Sequence, residues 1–209
     1  DVLDHSCSKL GFGGKMCIDG TKKLVEEVDE NYSNLQTLPS SKEIEEQLQQ
    51  QYPEIKAVFA GLLDKGISCI ILSVKKDKPG HIRQLHHSIA AGTNMHAIKM
   101  ILYVEHTVEP SDLPTSLWRF CNNLDPKRDS YLFQSVTFPY VACLGLDGTR
   151  KTKELDNFQR DWPNIIVADD ETIKRVDKKW NTLGIGPFLP SPSLKYKTQL
   201  YGEEAVVDA

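Results

Sequence analysis

Two stretches of this chain end a short apolar run in nearly the same polar residues. Gly14-Lys15-Met16-Cys17-Ile18-Asp19-Gly20-Thr21-Lys22-Lys23 is echoed by Ala142-Cys143-Leu144-Gly145-Leu146-Asp147-Gly148-Thr149-Arg150-Lys151. Asp-Gly-Thr after a strand could serve phosphoryl transfer, in which a nucleophilic aspartate stands two residues before the triplet. Those positions hold Cys17 and Gly145, neither of which can form an aspartyl-phosphate, and that chemistry is excluded. Gly11-Phe12-Gly13-Gly14-Lys15 hints at a phosphate loop. A Walker loop would need glycine at Lys9 and Ser or Thr at Met16, and a dinucleotide fingerprint would need glycine at Met16, so both fail. Two readings remain for Asp19 and Asp147. One is an Asx-turn, in which the carboxylate accepts nearby backbone N–H groups while glycine takes a conformation closed to other residues. The other is a ligand contact, because strand ends border the crevice of an open α/β sheet. The structural reading is preferred. On the second, Asp147, Thr149, Lys151 and Lys75 are the candidate anion or turn contacts.

Other reactive groups are scattered. Lys75, Lys76 and Lys78 precede Pro79-Gly80-His81, a basic strand-to-helix turn that could meet an anion with help from a helix N-terminus, or simply be a solvated rim. His81 reads as a packing or capping residue, the adjacent His86 and His87 point to different helix faces, and His96 and His106 flank a strand. No histidine pair has metal-ligand spacing, and no Ser-His-Asp or Cys-His order stands out. Cys7, Cys17, Cys69, Cys121 and Cys143 are an odd number without a Cys-x-x-Cys pair. They predict small buried hydrophobes in a reducing cytoplasm rather than a disulfide framework.

The 209 residues carry 25 Lys+Arg against 29 Asp+Glu, a formal charge of −4. No basic field exists for nucleic acid, no apolar run approaches a membrane span, and no signal peptide is visible. The first residue is Asp1, in the middle of patterned sequence, and the echo of 14–23 in 142–151 suggests a duplicated α/β unit. Both predict a piece of a longer protein.

Residues 67–74 and 97–104 are nearly unbroken apolar runs, expected of strands buried on both faces. Between them Ile82, Leu85 and Ile89 recur at helical spacing up to Gly92, giving a βαβ unit. Further strands are predicted at 54–60, 131–135, 141–146 and 164–167. A helix over 112–123 is predicted to bury Leu113, Leu117, Trp118 and Cys121. Another over 170–183 should bury Ile173, Val176, Trp180 and Leu183, capped by Asp169 or Asp170 and ended by Gly184. Ser40-Ser41-Lys42-Glu43 reads as a capping box for a surface helix that stops before Pro53. The expected class is α/β: a βαβ-type sheet, mostly parallel or mixed, with flanking helices and an extended C-terminal arm. The expected divisions are 1–26, the remnant of a preceding α/β repeat; 27–52, a linker and surface helix; 53–183, the α/β domain; and 184–209, the arm. The arm is proline-rich and apolar, suited to lying on another surface, with a frayed end as the alternative.

Four motifs follow in order: Pro53-Glu54-Ile55-Lys56-Ala57-Val58, Ile71-Leu72-Ser73-Val74-Lys75-Lys76 with Pro79-Gly80-His81, Leu124-Asp125-Pro126-Lys127-Arg128-Asp129, and Leu146 to Lys151. In this order they resemble the C-terminal region of the UbiD-type carboxy-lyases, the 3-octaprenyl-4-hydroxybenzoate decarboxylase family. Residues 1–23 look like the same final strand and its preceding loop. The resemblance implies non-oxidative decarboxylation of an aromatic or α,β-unsaturated acid in ubiquinone or menaquinone biosynthesis. It implies prenylated FMN with Mn2+ and K+, and a Glu-Arg-Glu network moving protons. Those groups belong to a preceding split-barrel domain and nothing here matches them, so no cofactor is expected on this fragment alone and no catalytic residue is carried over. The implied partners are the missing N-terminal flavin-binding domain and further copies in a homo-oligomer, because the family's C-terminal domain closes over the active site and builds the dimer. The loop 5–14, with His5, Cys7, Leu10 and Phe12, is the candidate substrate-facing edge. Glycine where the family has alanine in Asp-Ala-Thr is expected to loosen a turn. The alternative is a stand-alone α/β module that binds a small anionic ligand near Asp147 and Lys75.

Overall fold

A computed structural model describes residues 7, 9, 16–27, 37–136, 141–160, 162, 164–201 and 206–207. They fall into two compact units, 1–162 and 163–209.

The first unit is built on a five-stranded mixed sheet of order β1-β2-β3-β5-β4. Its centre is parallel: β2 (Cys69–Val74), β3 (Met100–Glu105) and β5 (Ala142–Asp147). The edges are antiparallel, β1 (Ile55–Phe59) beside β2 and β4 (Ser130–Gln134) beside β5. All of β2, and β3 from Ile101 to Glu105, is buried, which is why those strands lack polar alternation. Side chains alternate between two cores. Ile70, Leu72, Val74, Ile101, Tyr103 and Cys143 face one side and meet Ile44 and Leu48 of α1 (Ser41–Gln51) and Ile82, Leu85 and Ile89 of α2 (His81–Ala90). Cys69, Ile71, Leu102, Val104 and Leu146 face the other and meet Leu113 and Phe120 of α3 (Leu113–Asn123).

Several local expectations are corrected. Ser40 precedes α1 in extended conformation but makes no capping hydrogen bond; Ser41 Oγ instead donates to Asp64 Oδ2 at 2.8 Å. The face of α3 is also not the predicted one. Leu117 and Trp118 are 46% and 43% exposed and Cys121 is exposed, whereas Thr115, Ser116, Arg119 and Asn123 point inward. The helix crosses the strand ends, where backbone groups need polar partners: Ser116 Oγ donates to Glu109 O at 3.3 Å, and Asn123 Nδ2 donates to Gly148 O at 2.9 Å. Residues 16–19 form no strand, and Met16 and Ile18 are exposed, because no neighbouring strand among the described residues offers them a ladder.

In the second unit, β6 (Val167–Ala168) pairs in parallel with β7 (Val206–Val207). The strand predicted from 164 starts later, because Asn164 Oδ1 accepts from the N–H groups of Ile165 and Tyr201. Asp169 caps α6 (Asp170–Lys179), accepting from Thr172 N and Oγ1 at 2.6 and 2.9 Å. The α-helix stops at Lys179; a 3-10 turn covers Trp180–Thr182, and Gly184 takes φ +65°. Of the predicted apolar face only Ile173 is buried; Val176 and Leu183 are exposed. The Trp180 indole donates to Pro187 O at 2.9 Å and meets Phe188 edge-on. Past Pro192 the span expected to be extended contains helical turns, α7 (Ser193–Tyr196) and a 3-10 turn at Lys197–Gln199.

Candidate functional site

The carboxyl ends of β2, β3 and β5 lie along one edge of the sheet, the usual place for an α/β crevice. Asp147 ends β5 fully enclosed. Its Oδ1 accepts from Thr149 N at 2.9 Å and Thr149 Oγ1 at 2.5 Å, the expected Asx-turn. Gly148 does not take positive φ. It is glycine because a Cβ would lie 2.8 Å from Phe120 Cα, so close helix approach, rather than a loosened turn, explains the residue. Its N–H donates to Tyr103 O at 2.8 Å, carrying the ladder into the turn. Gly145 is equally constrained, since a Cβ there would meet the His86 ring at 2.5 Å; an aspartate nucleophile has no room.

Lys151 folds back beneath this turn, fully buried. Its ammonium donates to Asp147 O at 3.0 Å and Thr149 O at 2.7 Å, and lies 3.3 Å from Asp147 Oδ1 and 3.6 Å from Asp129 Oδ1. Asp129 ends the short helix α4 (Pro126–Asp129) and is gripped by Arg128, with Nε to Oδ1 at 2.8 Å and Nη2 to Oδ2 at 2.7 Å. Asp129 and Asp125 brace α4 reciprocally: Asp129 Oδ2 accepts Asp125 N at 2.8 Å, and Asp125 Oδ1 accepts Lys127 N at 3.0 Å. From the β2 side Lys76 reaches in, donating to Arg150 O at 2.6 Å and to both oxygens of Asp156, at 2.9 and 2.8 Å, in α5 (Lys153–Asp156). Glu105, ending β3, accepts Arg150 N at 3.1 Å. Burial works to raise the Asp147 carboxyl, but Lys151 and then Lys76 outweigh it and hold it below the usual carboxylate range. Burial, then Asp147, pushes the Tyr131 phenol up.

Beside this cluster opens a cavity of about 400 Å³ lined in part by Pro79, Gly80, Arg83, Arg128, Tyr131 and Asn157. Arg83 lies over the Tyr131 ring at 5.0 Å. Two of its lining cations are paired with carboxylates, Lys151 with Asp147 and Asp129 and Arg128 with Asp129, and behind it Lys76 pairs with Asp156. Away from this edge, burial pushes the thiols of Cys69 and Cys143 up to about 11 and about 12. Among the described residues no three His, Cys, Asp or Glu side chains are grouped so that they could hold a metal ion. The geometry is that of a clamp joining the β2–α2 turn, α4 and the turn after β5.

Of the candidates read from sequence, Asp147, Thr149 and Lys151 come together as one turn. Lys75 does not join them. It is exposed, with its N–H donating to Glu54 O at 3.0 Å, and its neighbour Lys76 takes the inward place. Cys7 is buried and its carbonyl accepts Arg160 Nη1 at 2.8 Å, while His5, Leu10 and Phe12 lie outside the described residues. Sequence reasoning overlooked the roles of Lys76, Arg128, Asp129 and Asp156. The signal available was Asp125-Pro126-Lys127-Arg128-Asp129, a capped turn with one carboxylate to spare.

The family model of the 3-octaprenyl-4-hydroxybenzoate carboxy-lyase C-terminal domain matches residues 33–148. An uncharacterized protein of Archaeoglobus fulgidus is 26% identical over 146 residues, 65% of this chain and 30% of its own length, so this chain spans under a third of that relative. Vanillic acid decarboxylase of Sedimentibacter hydroxybenzoicus shares the fold. Its closed form aligns with TM-score 0.54 at 17% identity over 70% of this chain and 32% of its own. The open form aligns with TM-score 0.50 at 20% identity over 68% and 32%. No helix among the described residues is long and apolar enough to cross a membrane. With the matched residues carrying the five-stranded sheet, this chain belongs to the UbiD family of carboxy-lyases and holds its C-terminal domain.

Proposed function

We propose that this chain is the C-terminal α/β part of a non-oxidative decarboxylase acting on an aromatic or α,β-unsaturated acid in quinone biosynthesis. Its sheet is a scaffold and an assembly surface for a homo-oligomer in the cytoplasm. Prenylated FMN, Mn2+ and K+ belong to a separate flavin-binding domain, and the loop 5–14 faces the substrate. One observation carries the reading: the family match falls on a sheet whose charged centre is saturated by its own partners, built to hold shape rather than to turn over substrate. That the fold is shared with a vanillic acid decarboxylase supports the substrate class. The chain alone, given prenylated FMN and Mn2+, should release no CO2 from 4-hydroxybenzoate or vanillate, and should do so only when joined to the flavin-binding domain. Release by the chain alone overturns the proposal.

A second reading is favoured by the cavity beside Arg83 and Arg128: a module holding a small anion. Isothermal titration with inorganic phosphate tests it. Heat that saturates at micromolar phosphate, and is abolished by Arg83→Ala, would put this reading first.

A further inference from the structure

The turn at Asp19 reproduces the aspartate–threonine contacts of the turn at Asp147. Asp19 Oδ1 accepts from Thr21 N at 2.9 Å and Thr21 Oγ1 at 2.5 Å, as Asp147 Oδ1 does from Thr149 at the same two distances. A lysine four residues on pairs with the aspartate in each case, Lys23 through Asp19 Oδ2 and Lys151 beside Asp147 Oδ1, where it also donates to the carbonyls of Asp147 and Thr149. The surroundings are opposite. Asp147, Thr149 and Lys151 are buried, Leu146 is wholly enclosed, and Gly148 touches the α3 backbone. Residues 16–24 are exposed throughout, Ile18 at 54%, and a Cβ at Gly20 would meet nothing within 4 Å. The first copy thus has the apolar run and the aspartate turn of the second, without the buried surroundings that the second has.

We infer that residues 16–24 are the closing inner strand and cap turn of another α/β unit, built like this sheet and carried ahead of them in the same polypeptide. The second copy specifies what that unit offers. It has a parallel strand on one side of the slot and an antiparallel edge strand on the other, as β3 and β4 flank β5. A helix backbone lies close enough to Gly20 that only glycine fits, as Phe120 does at Gly148. A carboxylate receives Lys23, as Asp129 receives Lys151. Chain order places that unit first, because β5 is the last strand of its sheet and the four others precede it. A second copy of this chain is not the occupant, because its slot is filled by its own β5. Nor could Cys17 replace Gly145 there, where any Cβ meets the His86 ring at 2.5 Å. The unit that takes residues 16–24 therefore carries no ring at the place of His86.

Hydrogen exchange, read on backbone amides of this 209-residue chain and of the natural full-length polypeptide, tests the inference. Amides 16–22 should exchange freely in the former and at least about 100-fold more slowly in the latter, while 143–149 are protected in both. Free exchange of 16–22 in both proteins overturns it, and so does protection in the short chain, which would mean pairing within it or with a second copy. Gly20→Ala and Gly20→Val give an independent reading. Neither should move the melting temperature of the short chain, and both should lower that of the full-length protein by several degrees, Val more than Ala. An unchanged full-length protein overturns the inference. These readouts involve no CO2 release and stand or fall separately from the decarboxylase proposal.

Discussion

Lys151 has no water to fall back on. Its ammonium is satisfied by two carbonyls and two carboxylates, so removing it takes the adjacent cation from buried Asp147 and leaves Asp129 to Arg128 alone. Lys151→Met should cost about 3–5 kcal/mol in urea-induced unfolding, and a loss under 1 kcal/mol would show that the clamp is loose in solution. His86 makes a different prediction. Its Nε2–H donates to Cys143 O at 3.1 Å and, in the neutral ring, its Nδ1 accepts from the Tyr103 hydroxyl at 3.0 Å, so both nitrogens are satisfied without a charge. Burial holds its pKa down to about 4, against an ordinary 6.5. Between those values the unfolded chain binds more protons, so stability is fully present above pH 6.5 and falls by about 3 kcal/mol as pH drops to 4. His86→Gln should flatten that slope in urea midpoints taken from pH 4.5 to 7, and an unchanged slope would assign it elsewhere. At this scale the sequence was legible where a motif closes on itself, as in Asp147-Gly148-Thr149. It was not legible for Lys75 against Lys76, because adjacent residues leave a strand in opposite directions and both are lysine.

Among the elements, β2 and β3 were readable because burial on both faces favours apolar residues over nearly the whole run. The face of α3 was misread for a physical reason. Apolar spacing finds the side that could be buried, whereas this helix lies over a turn with backbone groups to satisfy, and Asn123 and Ser116 meet them. The consequence inverts the usual ranking of substitutions. Trp118→Ser should change stability by no more than about 0.5 kcal/mol, while Asn123→Ala should cost about 1–2 kcal/mol. Thermal unfolding of both variants decides this, and a larger loss from Trp118→Ser would restore the apolar face as the inner one. The helix in the second unit repeats the lesson, with Ile173 alone buried of its predicted stripe and Trp180 tied to the loop at Pro187.

In the whole molecule, the class of fold followed from strand and helix alternation, but the antiparallel edges did not. Nothing in the runs at 54–60 or 131–135 states direction; that comes from the short connections to β2 and β5, which leave room only for a return. The site was half legible for the same reason. Its members come from the β2–α2 turn, α4 and the segment after β5, brought together by the parallel order of the strands rather than by proximity in sequence. The middle of the sheet is also its last piece to be made. While a ribosome is still short of Ala142, β3 and β4 stand apart with raw edges facing a gap. A chain stopped before Ala142 therefore leaves the inner edges of β3 and β4 unpaired, a template for pairing with other chains rather than a smaller closed sheet.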